Sequence, residues 1–262
     1  MSATWTVTEI LTIAGRRLRR LRRAPGRLVG VIMNPIIVLI AFGYLLGGSM
    51  VLPGGSSYAE YIFAGGLMQV GLAGISPTAV AIAMDLRSGL VDRLRSLPIS
   101  RSAVLVGNTL GDLAMGVVGL FVVIIVGFVL GWRPHNGILA TLAGFGMVIV
   151  FIYAMVWVGV LLGLMWKNLE TIESVSGLIA VGFSFLSTGF ISPEQMPALI
   201  RPIAEWNPVS AVVTVCRELW GNPQYVSGFA VENSWLVVIV SLAAVLTVTS
   251  VISVRRYSSW SS

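Results

Sequence analysis

Charged residues are scarce in this sequence. Asp, Glu, Lys and Arg make up only 11% of its 262 residues, whereas soluble domains contain roughly 25%. Hydrophobic residues account for 56% of the chain, and its mean hydropathy is +0.90. Because so little charge is available to cover a water-exposed surface, the composition predicts an integral membrane protein.

Three residue types that often build reactive sites occur only once each. Cys216 is the only cysteine, which excludes an intrachain disulfide framework. His135 is the only histidine and lies in a short turn, so neither a Ser-His pair nor a metal cluster is indicated. Lys167 is the only lysine and does not belong to a phosphate-binding G-x-x-x-x-G-K-[ST] motif. We therefore expect no catalytic, metal or ATPase site in this chain.

Long hydrophobic runs are abundant. A transmembrane helix needs about 20 predominantly apolar residues. Six runs have about this length: residues 28–46, 61–84, 104–130, 138–165, 175–190 and 235–254. The runs are continuously apolar, whereas barrel strands alternate at every second residue. The sequence therefore predicts an all-α fold with six transmembrane helices in a domain of residues 28–254.

The basic residues predict the orientation, because Lys and Arg accumulate on the cytoplasmic side of membrane proteins. With both termini in the cytoplasm, only Arg133, Arg201 and Arg217 of the 17 basic residues would lie outside. We therefore predict cytoplasmic termini, with residues 255–262 as a cytoplasmic tail. The net charge of +6 then mainly reflects orientation and does not indicate a nucleic-acid partner.

Residues 1–27 have an amphipathic pattern. Apolar residues recur at three- and four-residue spacing: Val7, Ile10, Leu11, Ala14, Leu18 and Leu21. Arginines flank this stripe, so the segment is predicted to be a helix lying on the membrane surface among lipid phosphates. It either anchors the topology or also contacts a cytosolic partner.

Residues 85–98 form a charged island between the second and third predicted spans. Leu86, Leu90 and Leu94 fall on one face of a short helix that ends before Pro98. Charged residues occupy much of the remaining surface: Asp85, Arg87, Asp92 and Arg93. The segment is either a docking helix for a soluble partner or a solvated loop.

Residues 191–234 lie outside the membrane in this topology. A helix opened by Ser192 would end near Pro202, and Asn207-Pro208 would open another helix that Gly221 closes. The second helix is too short to span the bilayer. We predict a short re-entrant hairpin, serving as either a static cap or an extracellular gate.

Small residues recur every four positions in the fifth span: Ser176, Ala180, Ser184 and Thr188. Small residues let helices approach closely in lipid, so this ladder marks either a dimer interface or packing within one subunit. The spacing of Gly159 and Gly163 favours packing within the subunit. Polar, aromatic and Met side chains that could line a pathway, or simply pack, are Asn34, Phe42, Met68, Gln69, Phe183 and Phe185.

The stretch DLRSGLVDRLRSLPISRSAVLVGNTLGDL, residues 85–113, resembles the connecting segment of ABC-2 type transporter permeases. The similarity is closest to the daunorubicin/doxorubicin resistance group of bacterial drug exporters. Further matches occur in the family's order: Asn34-Pro35, GYLLGG at 43–48, FLSTGFISP at 185–193, Met196-Pro197, Trp206-Asn207-Pro208 and Arg217. Asn108 departs from the basic residue expected in much of the group.

The resemblance implies a permease in the bacterial cytoplasmic membrane, paired with a second permease subunit that is identical or a paralogue. A separate ATP-binding cassette subunit would bind ATP and Mg²⁺ and power outward movement of a lipophilic or amphiphilic compound. It also implies that residues 85–98 are the coupling helix, in which the leucines pack and the charged residues set the register against that subunit. The alternative function is a partner-free secondary transporter or channel.

Overall fold

The computed structural model describes residues 12, 14–15, 25–45, 58–88, 101–191, 196–224 and 229–259. Within these ranges the chain forms nine helices and no strand, which confirms the predicted all-α class. The helices are α1 (Pro25–Leu45), α2 (Tyr58–Arg87), α3 (Arg101–Val129), α4 (Gly137–Met165), α5 (Leu169–Phe185), α6 (Arg201–Glu205), α7 (Pro208–Trp220), α8 (Phe229–Glu232) and α9 (Ser234–Ser259).

Four of the described helices are long and apolar enough to cross a membrane. They are α2, most of α3, α4 and most of α9. The predicted first and fifth spans are also helical, as α1 of 21 residues and α5 of 17 residues. The chain is therefore a multi-pass membrane protein, in which four spans meet the length criterion.

Helix α5 differs from the predicted span of residues 175–190 at both ends. It begins earlier, because the Asn168 side chain caps it by accepting a hydrogen bond from the Glu170 amide at 3.0 Å. It ends at Phe185, and the chain then turns through residues 186–190 without helical structure. Hydropathy alone does not show either change, because both boundaries depend on local hydrogen bonds.

Helix α2 lies at the centre of the molecule. It packs against α1, α3, α4, α5 and α7. Its contact with α4 depends on glycine: a Cβ added at Gly159 would lie 2.6 Å from the Ile75 carbonyl oxygen, and one at Gly163 would lie 2.4 Å from the Ala79 oxygen. The structure thus confirms that these glycines pack within the subunit, where they let two backbones touch.

Helix α7 has the predicted boundaries. The Asn207 side chain accepts a hydrogen bond from the Val209 amide at 2.9 Å, Pro208 takes the first helical position, and Gly221 ends the helix with a φ of 67°. The helix is 13 residues long, so it is too short to span. The expectation for Pro202 was wrong, because it lies in the first turn of α6, where its missing amide hydrogen leaves no helical bond unmade.

Two predicted cytoplasmic segments are described only in part. Asp85, Leu86 and Arg87 form the last turn of α2, while Leu90, Asp92, Arg93 and Leu94 lie outside the described residues. Most of the predicted surface helix of residues 1–27 also lies outside them. The start of the predicted tail continues α9 as far as Ser259.

Replacing Gly159 by Ala should destabilise the protein by about 1–3 kcal/mol, because the new methyl group meets backbone that cannot easily move aside. Gly146→Ala is the matched control on the same helix, since no atom lies within 4 Å of an added Cβ there. The control should be neutral or slightly stabilising, as Ala is the better helix former. Unfolding by detergent titration measures both, and equal stabilities would contradict the close α2–α4 contact.

Candidate functional site

The most distinctive local structure is the non-helical turn that follows α5, residues 186–190, here called the helix break. Ser187, Thr188 and Phe190 are buried within it. Non-helical backbone inside a membrane protein is tolerated only where other groups pair its N–H and C=O groups. The hydrogen bonds of the helix break therefore show what holds it in place.

Two side chains at the start of α7 hold the first part of the break. The Asn207 amide nitrogen donates to the carbonyl oxygens of Phe183, at 3.0 Å, and Leu186, at 2.6 Å. The Ser210 hydroxyl oxygen accepts a hydrogen bond from the Thr188 amide at 2.9 Å. Because Asn207 also caps α7, the end of α5 and the start of α7 are joined through one residue.

Arg217, further along α7, holds the second part of the break. Its guanidinium donates to the carbonyl oxygens of Thr188 at 3.1 Å and Gly189 at 3.0 Å. It also donates twice to the Tyr61 oxygen of α2, from Nε at 3.0 Å and from Nη2 at 2.7 Å, and lies 3.7 Å from the centre of the Tyr61 ring. We call this set of contacts the Arg217 latch.

The latch is a buried cation bonded to neutral acceptors. Arg217 is only 2% exposed. Within the described parts of the chain, each hydrogen bond of its guanidinium goes to a main-chain carbonyl, and no carboxylate accepts from it. Buried charges are rare in membrane proteins and usually have a functional role.

The break also packs closely on α2 beyond the latch. The Tyr61 hydroxyl donates to the Thr188 oxygen at 3.3 Å, and the Gln69 amide donates to the Ser184 hydroxyl. A Cβ at Gly65 would lie 2.5 Å from the Gly189 oxygen, so only glycine fits at this point. Helix α2 therefore forms the inner wall against which the break rests.

The loop between α3 and α4 holds the other end of α7. Trp132 donates from Nε1 to the Asn222 side-chain oxygen at 2.8 Å, and the His135 amide donates to the Trp220 oxygen at 2.8 Å. The His135 ring lies 3.0 Å from the Glu60 carboxylate in the first turn of α2. Helix α7 is thus fixed at both ends to the body of the protein.

At the opposite end of α2, the described part of the charged island contacts another loop. Arg87 donates to the Lys167 carbonyl oxygen at 2.5 Å, which joins the end of α2 to the turn between α4 and α5. Asp85 and Leu86 are half-buried beside it. Asn108, where the resemblance leads us to expect a basic residue, is buried in α3.

The predicted dimer ladder lies largely inside the single chain. Ser176, Ser184 and Thr188 are buried, with Ser176 only 1% exposed, and Ala180 is half-buried. Ser184 faces Gln69 of α2, and Thr188 belongs to the helix break. These side chains are covered by the chain's own helices, which corresponds to the alternative of packing within one subunit.

The six candidate pathway residues do not share one surface. Met68 and Gln69 are buried in α2, and the Phe42 ring packs at a tilt against Phe190 with ring centres 4.8 Å apart. Phe183 is half-buried, whereas Asn34 is exposed and Phe185 is 59% exposed. Their exposed fractions therefore range from buried to largely exposed.

From the sequence, Arg217 is identified only as part of the resemblance and as an external basic residue. One feature of the sequence could have identified Arg217 as a functional candidate. It is a cation in an apolar helix that is too short to span the membrane. Together the geometry shows an all-helical membrane protein with a buried helix break, an arrangement associated with transport across membranes.

Comparison with known proteins identifies the family. Residues 8–219 match the ABC-2 type transporter family model. The daunorubicin resistance ABC transporter permease protein DrrB1 of Streptomyces coeruleorubidus is 30% identical over 81% of this chain and 75% of its own length. The probable doxorubicin resistance ABC transporter permease protein DrrC of Mycobacterium tuberculosis is 27% identical over 80% of this chain and 76% of its own.

A more distant relative is the putative transport permease ycf38 of Cyanophora paradoxa, 21% identical over 84% of this chain and 76% of its own length. The family match covers most of the chain and includes the helix break and Arg217. The chain belongs to the ABC-2 type transporter family.

Asn207→Ala should lower stability more than Asn168→Ala, although both residues cap a helix. Loss of the Asn168 cap should cost about 1 kcal/mol. Loss of Asn207 also leaves two partly buried carbonyls without this partner, so about 3 kcal/mol is expected in total. Detergent-titration unfolding compares the two variants, and equal losses would show that Asn207 does not hold the break.

Proposed function

We propose that this chain is the transmembrane permease subunit of an ATP-binding cassette exporter. It moves a lipophilic or amphiphilic compound, such as a drug, lipid or secreted metabolite, outward across the bacterial cytoplasmic membrane. The observation that carries the proposal is the family match over residues 8–219. Relatives named for daunorubicin and doxorubicin resistance support export of a lipophilic drug.

The energy comes from a separate subunit that binds ATP and Mg²⁺. The chain's only lysine is outside any phosphate-binding motif, which supports an external motor. Residues 85–98 form the coupling helix that contacts this subunit. The position of Asp85, Leu86 and Arg87 at the end of α2, next to the turn that contains Lys167, supports this assignment.

The six predicted spans place both termini in the cytoplasm. Arg87 and Lys167 meet at one end of the molecule, while Glu60 and His135 meet at the opposite end of α2. By the positive-inside rule the first end faces the cytoplasm. Helices α6 and α7 then form the extracellular re-entrant hairpin, and the segment of residues 1–27 lies on the inner lipid surface.

The permease works as a pair, with an identical chain or a paralogue as the second half, together with two ATPase subunits. ATP binding closes the ATPase subunits, the coupling helices transmit this motion, and cargo leaves on the outer side. The burial of Ser176, Ser184 and Thr188 leads us to place the contact between permeases on other residues.

Affinity purification of the tagged chain from its native membrane, followed by mass spectrometry, tests this function. We expect a near-stoichiometric subunit with a phosphate-binding Walker motif, and ATP-dependent export after reconstitution in vesicles. Recovery of the chain alone, with cargo still moving in ATP-free vesicles, would identify a secondary transporter or channel instead.

Exchanging two charges in the coupling helix, by Asp92→Arg with Arg93→Asp, should leave the chain inserted in the membrane. ATP-driven export should fall at least about tenfold, because the register of charges against the ATPase subunit is lost. Export per ATP hydrolysed in vesicles is the measurement.

The matched control exchanges the charges of Arg201 and Glu205, an ion pair of 2.8 Å in α6 at the proposed outer end. This control also preserves the net charge and should export normally. Unchanged export by the Asp92/Arg93 variant would refute the assignment of the coupling helix.

A further inference from the structure

We infer that Arg217 is a positioning residue that keeps the outer side of the permease closed, and that movement of α2 releases it. In this structure the latch joins two groups of elements. One group is α7 with the helix break, and the other is α2 with α4. This inference rests on the proposed export function and identifies the contact that must open.

Some hydrogen bonds hold each group together, and others join the two groups. Besides Arg217, the Tyr61 hydroxyl donates to the Thr188 oxygen, and Trp220 donates to the Thr141 oxygen of α4. The loop between α3 and α4 also binds the end of α7.

Asn207 and Ser210 bind the break to α7, so these two segments move together. Helices α2 and α4 form a second unit, because Gly159 and Gly163 bring their backbones into contact. Arg217 crosses between the units, with two of its hydrogen bonds and its ring contact on Tyr61.

The chemistry of the latch suits a contact that opens and closes. Removing an arginine from a buried carboxylate would leave an unpaired anion behind, which is very costly. The Arg217 acceptors are neutral carbonyls of Tyr61, Thr188 and Gly189, so opening leaves no buried anion. The long arginine side chain can also carry its charge towards water as the units separate.

Helix α2 links the latch to the proposed coupling helix. Tyr61 lies in its first turn, and Asp85, Leu86 and Arg87 form its last. The helix has 30 residues and is therefore about 45 Å long. A shift of about 1–2 Å, as occurs when packed helices move, is enough to lengthen the Tyr61 bonds beyond hydrogen-bonding distance.

Cys216 provides a natural reporter for this opening. It is the only cysteine in the chain, it is 0% exposed, and its Sγ lies 3.6 Å from the Gly144 oxygen of α4. It therefore sits between the two units, next to Arg217. Separation of α7 from α2 and α4 exposes this thiol to the outer solution.

The test labels Cys216 with a membrane-impermeant maleimide added outside vesicles that contain the complete transporter. Mass spectrometry of this chain measures the labelling rate, without nucleotide and in the state trapped by ATP and vanadate, in which the ATPase subunit holds ADP and vanadate. We expect trapping to accelerate labelling by at least about tenfold. Several charge-assisted hydrogen bonds favour the closed form, and their release shifts the equilibrium between closed and open forms by that factor or more.

Three variants distinguish loss of the Arg217 latch from a general loss of stability. Arg217→Met should label rapidly without nucleotide and hydrolyse ATP with little export, while Arg217→Lys should be intermediate, because an ammonium cannot reproduce the planar fork of donors. Arg201→Gln, the control in α6, should label like the unmodified protein. If Arg217→Met does not fold, the comparison of nucleotide states in the unmodified protein still shows whether the latch opens.

Failure of this inference and failure of the proposed function give different results. If ATP drives export while Cys216 is equally protected in every nucleotide state, the latch does not open and the inference is overturned. If no ATPase subunit accompanies the chain and ATP does not affect transport, the proposed function is wrong. Acceleration of labelling by trapping, together with rapid labelling of the Arg217→Met variant, supports both.

Discussion

The structure depends on satisfying main-chain hydrogen bonds where a helix stops inside a membrane protein. Helix α5 ends at Phe185, and the carbonyl and amide groups that follow are buried away from water. One short helix supplies most of the side chains that pair with them, with Asn207 and Ser210 at its start and Arg217 near its end. The Tyr61 hydroxyl of α2 and the Ser187 side chain supply the others. Without α7, the chain could not leave helical structure at this depth.

The same constraint explains why α2 is central. Arg217 needs an acceptor outside the break, and it finds the Tyr61 carbonyl and ring in the first turn of α2. Gly65 lets the break approach that helix, and Gly159 lets α4 approach it from another side. One continuous helix therefore connects the Arg217 latch with the Arg87–Lys167 contact at the other end, as the proposed function requires.

Sequence reasoning succeeded where the determining contacts are local. The all-α class follows from long apolar runs, and the boundaries of α7 follow from Asn207, Pro208 and Gly221. It was less informative where two tertiary arrangements use the same residues. Small side chains such as Ser176 fit equally well between subunits or against α2, and only the folded chain distinguishes these cases. The role of Arg217 was missed because a count of basic residues assigns a side of the membrane and does not report depth.

Hydrogen–deuterium exchange of the intact, nucleotide-free complex tests most directly whether the helix break is held as described. The account predicts that the amides of Leu186, Thr188 and Gly189 exchange slowly, as those of α2 do. They donate to the Gly182 oxygen, the Ser210 hydroxyl and the Ser187 hydroxyl, in a turn whose carbonyls Asn207 and Arg217 hold. Exchange as fast as in an exposed loop would show that the break is not held, and would contradict both the site and the latch.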